Sequence, residues 1–591
     1  MIRKLSAIGL SILLLANIIV LVIIWAEMTY LSLQQHRSPI RGIALEHAEP
    51  APPRTSKMVI VLLSGLGHDS SLELELPALD QLKQAGASMT IQSAPPTYPQ
   101  STWGTLMTGA YAELSDAPPI DKSVTMLQPI QTDTLFRLAR QNDLQTALLG
   151  RPAWQHLIPR SHLNYSFFTA EGDAEADEAI IEAALPIIEQ DEIDFVFIQF
   201  SQIGTVATRE GLASENYPLA TARVDRYLAQ ISQSLDLSSS VLLVISDHGH
   251  TETGGYGGVE TEIIQQPFVI VGENIVPGAY SQAKQVDIAP TVAVILGLAP
   301  PNATQGRILF ELLHLSDEDR ALAQLHIAQQ RTTLATAYIS LINEVYTPIT
   351  STVIGNDLAL AEQIFTEGNL KGTFELASLI QNQADAEIRT ARNSRLGQEQ
   401  LLRLIIVTVV ILLWLIIMWR FRGPYSSIVV IATILTVLLY YGLYQIQGFS
   451  YSLSAFPNLA ELPLEVTRRA AVSMLIGGGI LMLSLLFYDE GDWITLLGIG
   501  YGFSVLVTFV FAIPLFWAFW QNGIDSNWFL PDPISAFWQI TGVFEVVVVA
   551  TIGLLLPWPI MSLNVFVSLV RQRLDESNHR AKSSHLPTLR L

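Results

Sequence analysis

The sequence predicts an α/β domain with a largely parallel sheet, followed by a helical stalk and an α-helical transmembrane bundle, with six spans in total. Three observations predict it. Apolar segments long enough to cross hydrocarbon occur near 7–26, 402–419, 425–446, 470–488, 493–520 and 538–570, and a span needs roughly 20 such residues. Between the first two lies a long polar region in which short apolar runs alternate with amphipathic stretches, the pattern of a parallel sheet crossed by helices. Finally, 50% of residues are hydrophobic and only 15% are charged, against about 25% charged in an ordinary soluble domain. Disordered, collagen-like and soluble coiled-coil chains are excluded.

The elements follow in order. Residues 1–27 read as an uncleaved membrane anchor. Arg3 and Lys4 precede the apolar run, and Trp25-Ala26-Glu27-Met28 at its end lacks a small-residue cleavage pattern. Residues 28–55 read as a tether with Pro52-Pro53 near its end. Residues 56–312 form the α/β domain, with strands at 58–63, 146–149, 195–200, 241–245 and 268–271. Helices are expected at 79–86, 132–142, 174–190 and 217–235, and a last one capped by Asp287 and ending near 296. The run 58–63 is uninterruptedly apolar, as in a strand buried on both faces. Residues 313–400 read as the stalk, opened by a capping-box-like Ser316 and Asp319 and broken near Pro348, Gly355 and Gly368. Residues 401–572 hold five spans and 573–591 a tail.

Lysine and arginine in short loops set orientation. Arg3, Lys4, Arg420, Arg422, Arg571, Arg573, Arg580, Lys582 and Arg590 fall on one side of a six-span layout. Both termini are then cytoplasmic and the large domain lies outside, as in a multi-pass plasma membrane protein. Arg468 and Arg469 run against this assignment, and Asp489, Glu490 and Asp492 sit in an inner loop. Glu545 lies inside the sixth span, where a carboxylate is a functional candidate or faces water or a neighbouring helix. Gly477-Gly478-Gly479 suits close helix packing. The sequons Asn164-Tyr165-Ser166 and Asn302-Ala303-Thr304 matter only in a host that glycosylates exported proteins.

Charge and cysteine content narrow the chemistry. Lys+Arg is 33, Asp+Glu is 54 and the net charge is −21, which leaves no electrostatic case for nucleic acid. With no cysteine, disulfides, thiolate zinc sites and cysteine nucleophiles are excluded. Sites in open α/β sheets form at the carboxyl ends of strands. Polar residues gather there at Ser64-Gly65-Leu66-Gly67-His68-Asp69, at Ser201 to Thr205 running on to Gly211, and at Ser246-Asp247-His248-Gly249-His250 before the glycine-rich 254–258. Thr97, Ser101 and Thr102 precede Leu106-Met107-Thr108-Gly109. Asp247 and His248 suit a divalent metal, or else form a hydrogen-bonded structural pair.

These segments, in this order, resemble the alkaline phosphatase superfamily, especially its type I phosphodiesterase and glycolipid-anchor phosphoethanolamine transferase branches; sulfatases belong to the same superfamily. The likeness covers about residues 57–310 and includes Asp287-Ile288-Ala289-Pro290-Thr291 and Gln305-Gly306-Arg307. One amino-terminal span, this domain and a polytopic end are similar to the transferase layout. The resemblance implies two metals, typically zinc, held by three Asp and three His, with a Thr or Ser nucleophile activated by them. Residue by residue the chain departs from that pattern. Ser64 stands for the first ligand, Ser201 and Thr205 for two more, and Tyr256 for the last histidine. Asp247 and His248 remain, and Thr97 keeps the nucleophile position, with Ser101 and Thr102 as weaker alternatives or capping residues.

Three function classes follow. The first is a non-catalytic descendant with a degenerate site and no tightly held cofactor, binding membrane lipid, a phosphorylated glycolipid, a phospholipid, a glycan or a protein partner. The second is an active metal-dependent phosphodiester hydrolase or phosphoethanolamine-type transferase with a rewired zinc or manganese site, to which His68, Asp69 and His250 could contribute. The third is a transporter or channel with a regulatory outer domain. No inverted repeat supports it.

Overall fold

The computed structural model describes residues 2–43, 50–170, 172–342, 350–420, 426–458, 460–487, 492–524 and 528–583. The polar region folds around a nine-stranded sheet. Its strands are β1 Lys57–Leu63, β2 Ala87–Gln92, β3 Thr146–Gly150, β4 Tyr165–Phe168, β5 Phe195–Phe200, β6 Ser240–Ile245, β7 Gln265–Gly272, β8 Gly278–Ala279 and β9 Ala283–Lys284. Their order is β4-β3-β5-β1-β6-β7-β2-β8, with β9 also paired to β2. Only β7 runs antiparallel to its neighbours β6 and β2; the rest is parallel, as expected.

The apolar run of β1 explains the layering. Met58, Ile60 and Leu62 enter a core shared with Trp103, Phe136 and Trp154, whereas Val59, Val61 and Leu63 enter a core on the other face with Ile180, Val224 and Leu228. A central parallel strand covered on both sides has no polar face. Consequently the ends of β1, β3, β5 and β6 share one edge, since these strands are parallel neighbours.

Among the described residues six helices are long and apolar enough to cross a membrane: Lys4–Gln34, Leu370–Trp419, Ser426–Ile446, Glu461–Leu485, Trp493–Asn522 and Pro533–Asn578. Several boundaries differ from expectation. The first helix, Ile2–Gln34, runs seven residues into the expected tether. The stalk's last helix and the second span are one helix, Leu370–Arg420, because no glycine or proline punctuates 398–402. Gly355 lies inside the helix Thr350–Thr366, while Gly368 does break the chain, at φ +80. The sixth apolar segment bends at Leu556, where Pro557 starts a second helix. Pro348, Arg422, Asp489, Glu490 and Arg590 lie outside the described residues.

Of the two expected caps, one forms and one does not. The backbone N–H of Asp319 donates to Ser316 Oγ at 3.1 Å, as a cap should. Asp287 instead accepts N–H bonds from Lys284 and Arg307, outside the following helix Ile288–Ile295. Gly477 and Gly478 do allow close packing: an added Cβ would fall 1.8 Å from Thr436 Oγ1 and 2.3 Å from Leu556 Cδ2 respectively.

Candidate functional site

The parallel strands deliver their polar ends to one cavity of about 450 Å³, walled in part by Ser64, Ser201, Thr205, His248, His250 and Tyr256. After β1 the chain turns at Gly65, φ +86, because an added Cβ there would lie 2.5 Å from Gly204 Cα. After β5 the expected polar loop is a helix, Gln202–Glu210. Its start is held by the buried Asp177 carboxylate, which accepts the N–H groups of Ser201 at 3.0 Å and Gln202 at 2.9 Å. Burial pushes the Asp177 carboxyl up to about 6, against those hydrogen bonds.

Asp247 follows β6 and is the hub of the site. Its Oδ2 accepts from Ser64 Oγ and Trp103 Nε1, both at 2.8 Å. Its Oδ1 accepts from the backbone N–H groups of Gly65 and His248, both at 3.0 Å, and lies 2.9 Å from His248 Nδ1. Burial alone would raise this carboxyl, but the His248 ring and the Ser64 and Trp103 donors outweigh it and hold it at about 2. Trp103 is fixed by stacking on Trp154, with centroids 4.8 Å apart.

The rings of His248, His250 and Tyr256 lie 5.1–5.4 Å apart pairwise. His250 is buried, with Nδ1 2.9 Å from the Gly254 carbonyl. Burial, aided by the neighbouring His248, lowers it to about 3. The Tyr256 hydroxyl donates to Asp121 Oδ2 at 3.3 Å. Burial pushes Asp121 up to about 6, partly offset by His248, and raises both the Tyr256 and Tyr98 phenols.

Thr97 is fully buried and its hydroxyl donates to the Gly258 carbonyl at 3.2 Å. Ser101 and Thr102 sit inside the helix Pro99–Thr108, equally buried. Neither caps it: the Thr102 hydroxyl bonds back to the carbonyls of Tyr98 and Pro99. None of the three walls the cavity. His68 lies apart, 3.3 Å from Thr90 Oγ1, and Asp69 opens the short helix Ser70–Glu73 without a side-chain cap. Sequence reading missed Trp103, Gln199, Arg151 and Asp121, all of which wall the cavity. Gln199 carries a usable signal, as the polar residue in the otherwise apolar β5 run Phe-Val-Phe-Ile-Gln-Phe. Arg151 directly follows β3.

Residues 133–289 match the family model of the type I phosphodiesterase / nucleotide pyrophosphatase. The human protein "GPI ethanolamine phosphate transferase 2, catalytic subunit" is 25% identical over 310 residues, covering 49% of this chain and 31% of that protein. The human "GPI ethanolamine phosphate transferase 3, catalytic subunit" is 22% identical over 351 residues, covering 54% and 31%. The chain thus spans about a third of the length of these curated relatives. Among solved structures, a protein in the alkaline phosphatase superfamily from Vibrio parahaemolyticus has a TM-score of 0.35 at 18% identity, covering 50% of this chain and 80% of that one.

The resemblance read from the sequence implies two divalent metals, and the residues present do not fit them. Among the described residues no group of three or more His, Asp or Glu side chains could hold a metal ion. The Asp247 carboxylate has about four lone-pair sites, and they already face two side-chain and two backbone donors. Those donors present their positive ends to the place a cation would take. Ser64, Ser201 and Thr205 are hydroxyls at positions that the resemblance pairs with ligands, and a neutral hydroxyl is a weak donor to zinc.

Proposed function

We propose that this chain is a non-catalytic, membrane-anchored relative of the type I phosphodiesterases. Its outer domain binds a phosphorylated lipid or glycolipid head or a protein partner, and the spans anchor it. One observation carries the reading: the Asp247 carboxylate is occupied by Ser64, Gly65, Trp103 and His248. A metal ligand must offer its lone pairs to the ion, and each lost ligand weakens a site severely, since even outer contacts are worth about 10–100-fold in affinity.

The active alternative rests on Thr97. Among the described residues its hydroxyl donates to the Gly258 carbonyl, and it is buried and does not wall the cavity, which speaks against it as a nucleophile.

The decisive experiment is metal analysis of the full chain purified in detergent and loaded with zinc or manganese, together with turnover of an aryl phosphodiester. The expected outcome is less than one metal per ten chains and no turnover above buffer. Two metals per chain with turnover that vanishes in Asp247→Ala would overturn the reading and make Thr97 the nucleophile to test.

We also propose that both termini are cytoplasmic and the α/β domain external. This is supported by the ion pair of Lys4 with Asp492 at 3.4 Å, which sets the start of the first helix beside the loop before the fifth. At that helix's other end, the Gln34 carbonyl accepts from Lys122 Nζ of the outer domain.

A further inference from the structure

The cavity floor carries buried polar groups that the fold leaves unused. Gln199 Oε1 accepts from Trp154 Nε1 at 2.8 Å and from the Arg151 backbone N–H at 3.3 Å. Both of those atoms can only donate, so the amide is oriented and its NH₂ group points the other way. That Nε2 is buried and has no hydrogen-bond partner among the described residues. The hydroxyl of Ser201, two residues on, is also buried and unpartnered. On the facing strand end His250 Nδ1 meets a carbonyl, which can only accept, so in the neutral ring Nε2 is a bare lone pair. It too is buried without a partner.

Above them sits Arg151. Among the described residues no carboxylate lies within ion-pair distance of its guanidinium. It is held beside Thr205: an added Cβ on Gly172 would lie 2.2 Å from Arg151 Nη1 and 2.8 Å from Thr205 Oγ1. All of these residues wall the same cavity.

Buried polar groups in native proteins are hydrogen-bonded almost without exception. Three orphans converging on one cavity beside an arginine with no carboxylate partner among the described residues therefore describe a ligand. Gln199, Ser201 and Arg151 are donors, which selects oxygen atoms bearing negative charge. His250 Nε2 is an acceptor, which selects one hydroxyl among them. We propose that the cavity is a metal-independent oxyanion site for the head of a phosphate monoester, held as its singly protonated monoanion. The anionic oxygens face Gln199, Ser201 and Arg151, and an O–H of the ligand donates to His250 Nε2. This deepens the non-catalytic reading and rests on it, because a bound metal pair would compete for the same space.

The test is calorimetric titration of the full chain in detergent with inorganic phosphate, inorganic sulfate and phenyl phosphate, each with and without EDTA, with glucose as the neutral probe. Saturable binding of phosphate and phenyl phosphate, unchanged by EDTA, is expected, with weaker binding of sulfate, which has no O–H to offer His250. Arg151→Ala should weaken it at least tenfold and Arg151→Lys should restore part of the loss. Ser201→Ala should weaken it severalfold while leaving the melting temperature of the ligand-free protein in place. Binding that EDTA abolishes and zinc restores would overturn the metal-free reading and this site with it. Absence of anion binding in a folded, metal-free protein would overturn this site alone and leave ordered water as the occupant. Binding indifferent to both Arg151→Ala and Ser201→Ala would also overturn it.

Discussion

At the scale of single residues, Asp247 gathers donors from three separate parts of the chain. Sequence reading finds the Asp247-His248 pair because the two are adjacent at a strand end. It also places Ser64, 183 positions away, among the strand-end residues, but it cannot find Trp103, which lies 144 positions away and meets the carboxylate only through the fold. The pair is then a hydrogen-bonding hub, which makes a prediction about stability rather than rate. Asp247→Ala strands at least three buried donors, and each orphaned donor costs about 1–3 kcal/mol. A loss of roughly 3 kcal/mol or more is expected, read as a lower melting temperature in EDTA, whereas Trp103→Phe removes one donor and costs about 1 kcal/mol. If Asp247→Ala melted like wild type in EDTA, the carboxylate would not be a structural acceptor, and the case against a metal would weaken.

At the scale of elements, the glycine-rich segment 254–258 has a role that its composition does not disclose. Its glycines read as part of a site, and His250 and Tyr256 flank or sit within the cavity wall. Their immediate cause is steric. An added Cβ on Gly255 would fall 1.8 Å from the Ser454 carbonyl oxygen, and one on Gly258 would fall 2.4 Å and 2.6 Å from the hydroxyls of Ser454 and Ser452. The segment joining the third and fourth spans therefore docks on the site loop of the outer domain. No local pattern announces a contact between positions two hundred apart. The other misses differ in cause. The strand β2 alternates apolar and polar residues strictly, a period-2 signal that sequence reading passed over, whereas the helix Gln202–Glu210 buries little more than Ile203 and Ala207 of apolar surface. Gly255→Ala should loosen the docking, measured as faster proteolytic cutting between the domain and the spans and as a melt split into two steps. Gly397→Ala, where a new Cβ meets nothing within 4 Å, should stabilise its helix by about 0.5–1 kcal/mol. Identical proteolysis of Gly255→Ala and wild type would mean the two parts do not rely on this contact.

At the scale of the whole molecule, the charge pattern that runs against the proposed orientation has a local explanation. Arg469 is not a loop charge: it is buried beneath the rings of Tyr444 at 4.3 Å, Tyr440 at 5.6 Å and Phe449 at 5.7 Å, with Glu465 3.9 Å away. Glu545 is likewise internal, accepting the Tyr440 hydroxyl at 2.5 Å, so neither residue reads as a signal at the membrane edge. Orientation by lysine and arginine counts charges in short flanking loops, and removing Arg469 leaves Arg468 as the exception. Because the chain has no cysteine, the orientation can be tested without background. Single cysteines are placed at Glu215, exposed on the outer domain, and at Asp575, exposed beyond the last span. In intact cells a membrane-impermeant maleimide should label Glu215→Cys within minutes and leave Asp575→Cys unlabelled until the membrane is permeabilised. The reverse pattern would invert the protein, and labelling of both in intact cells would require an odd number of crossings, removing one of the six helices from the membrane. Either result would move the oxyanion cavity relative to the lipid heads it is proposed to meet, because β1, β5 and β6 end at the same face that the docked segment 450–457 joins to the bundle.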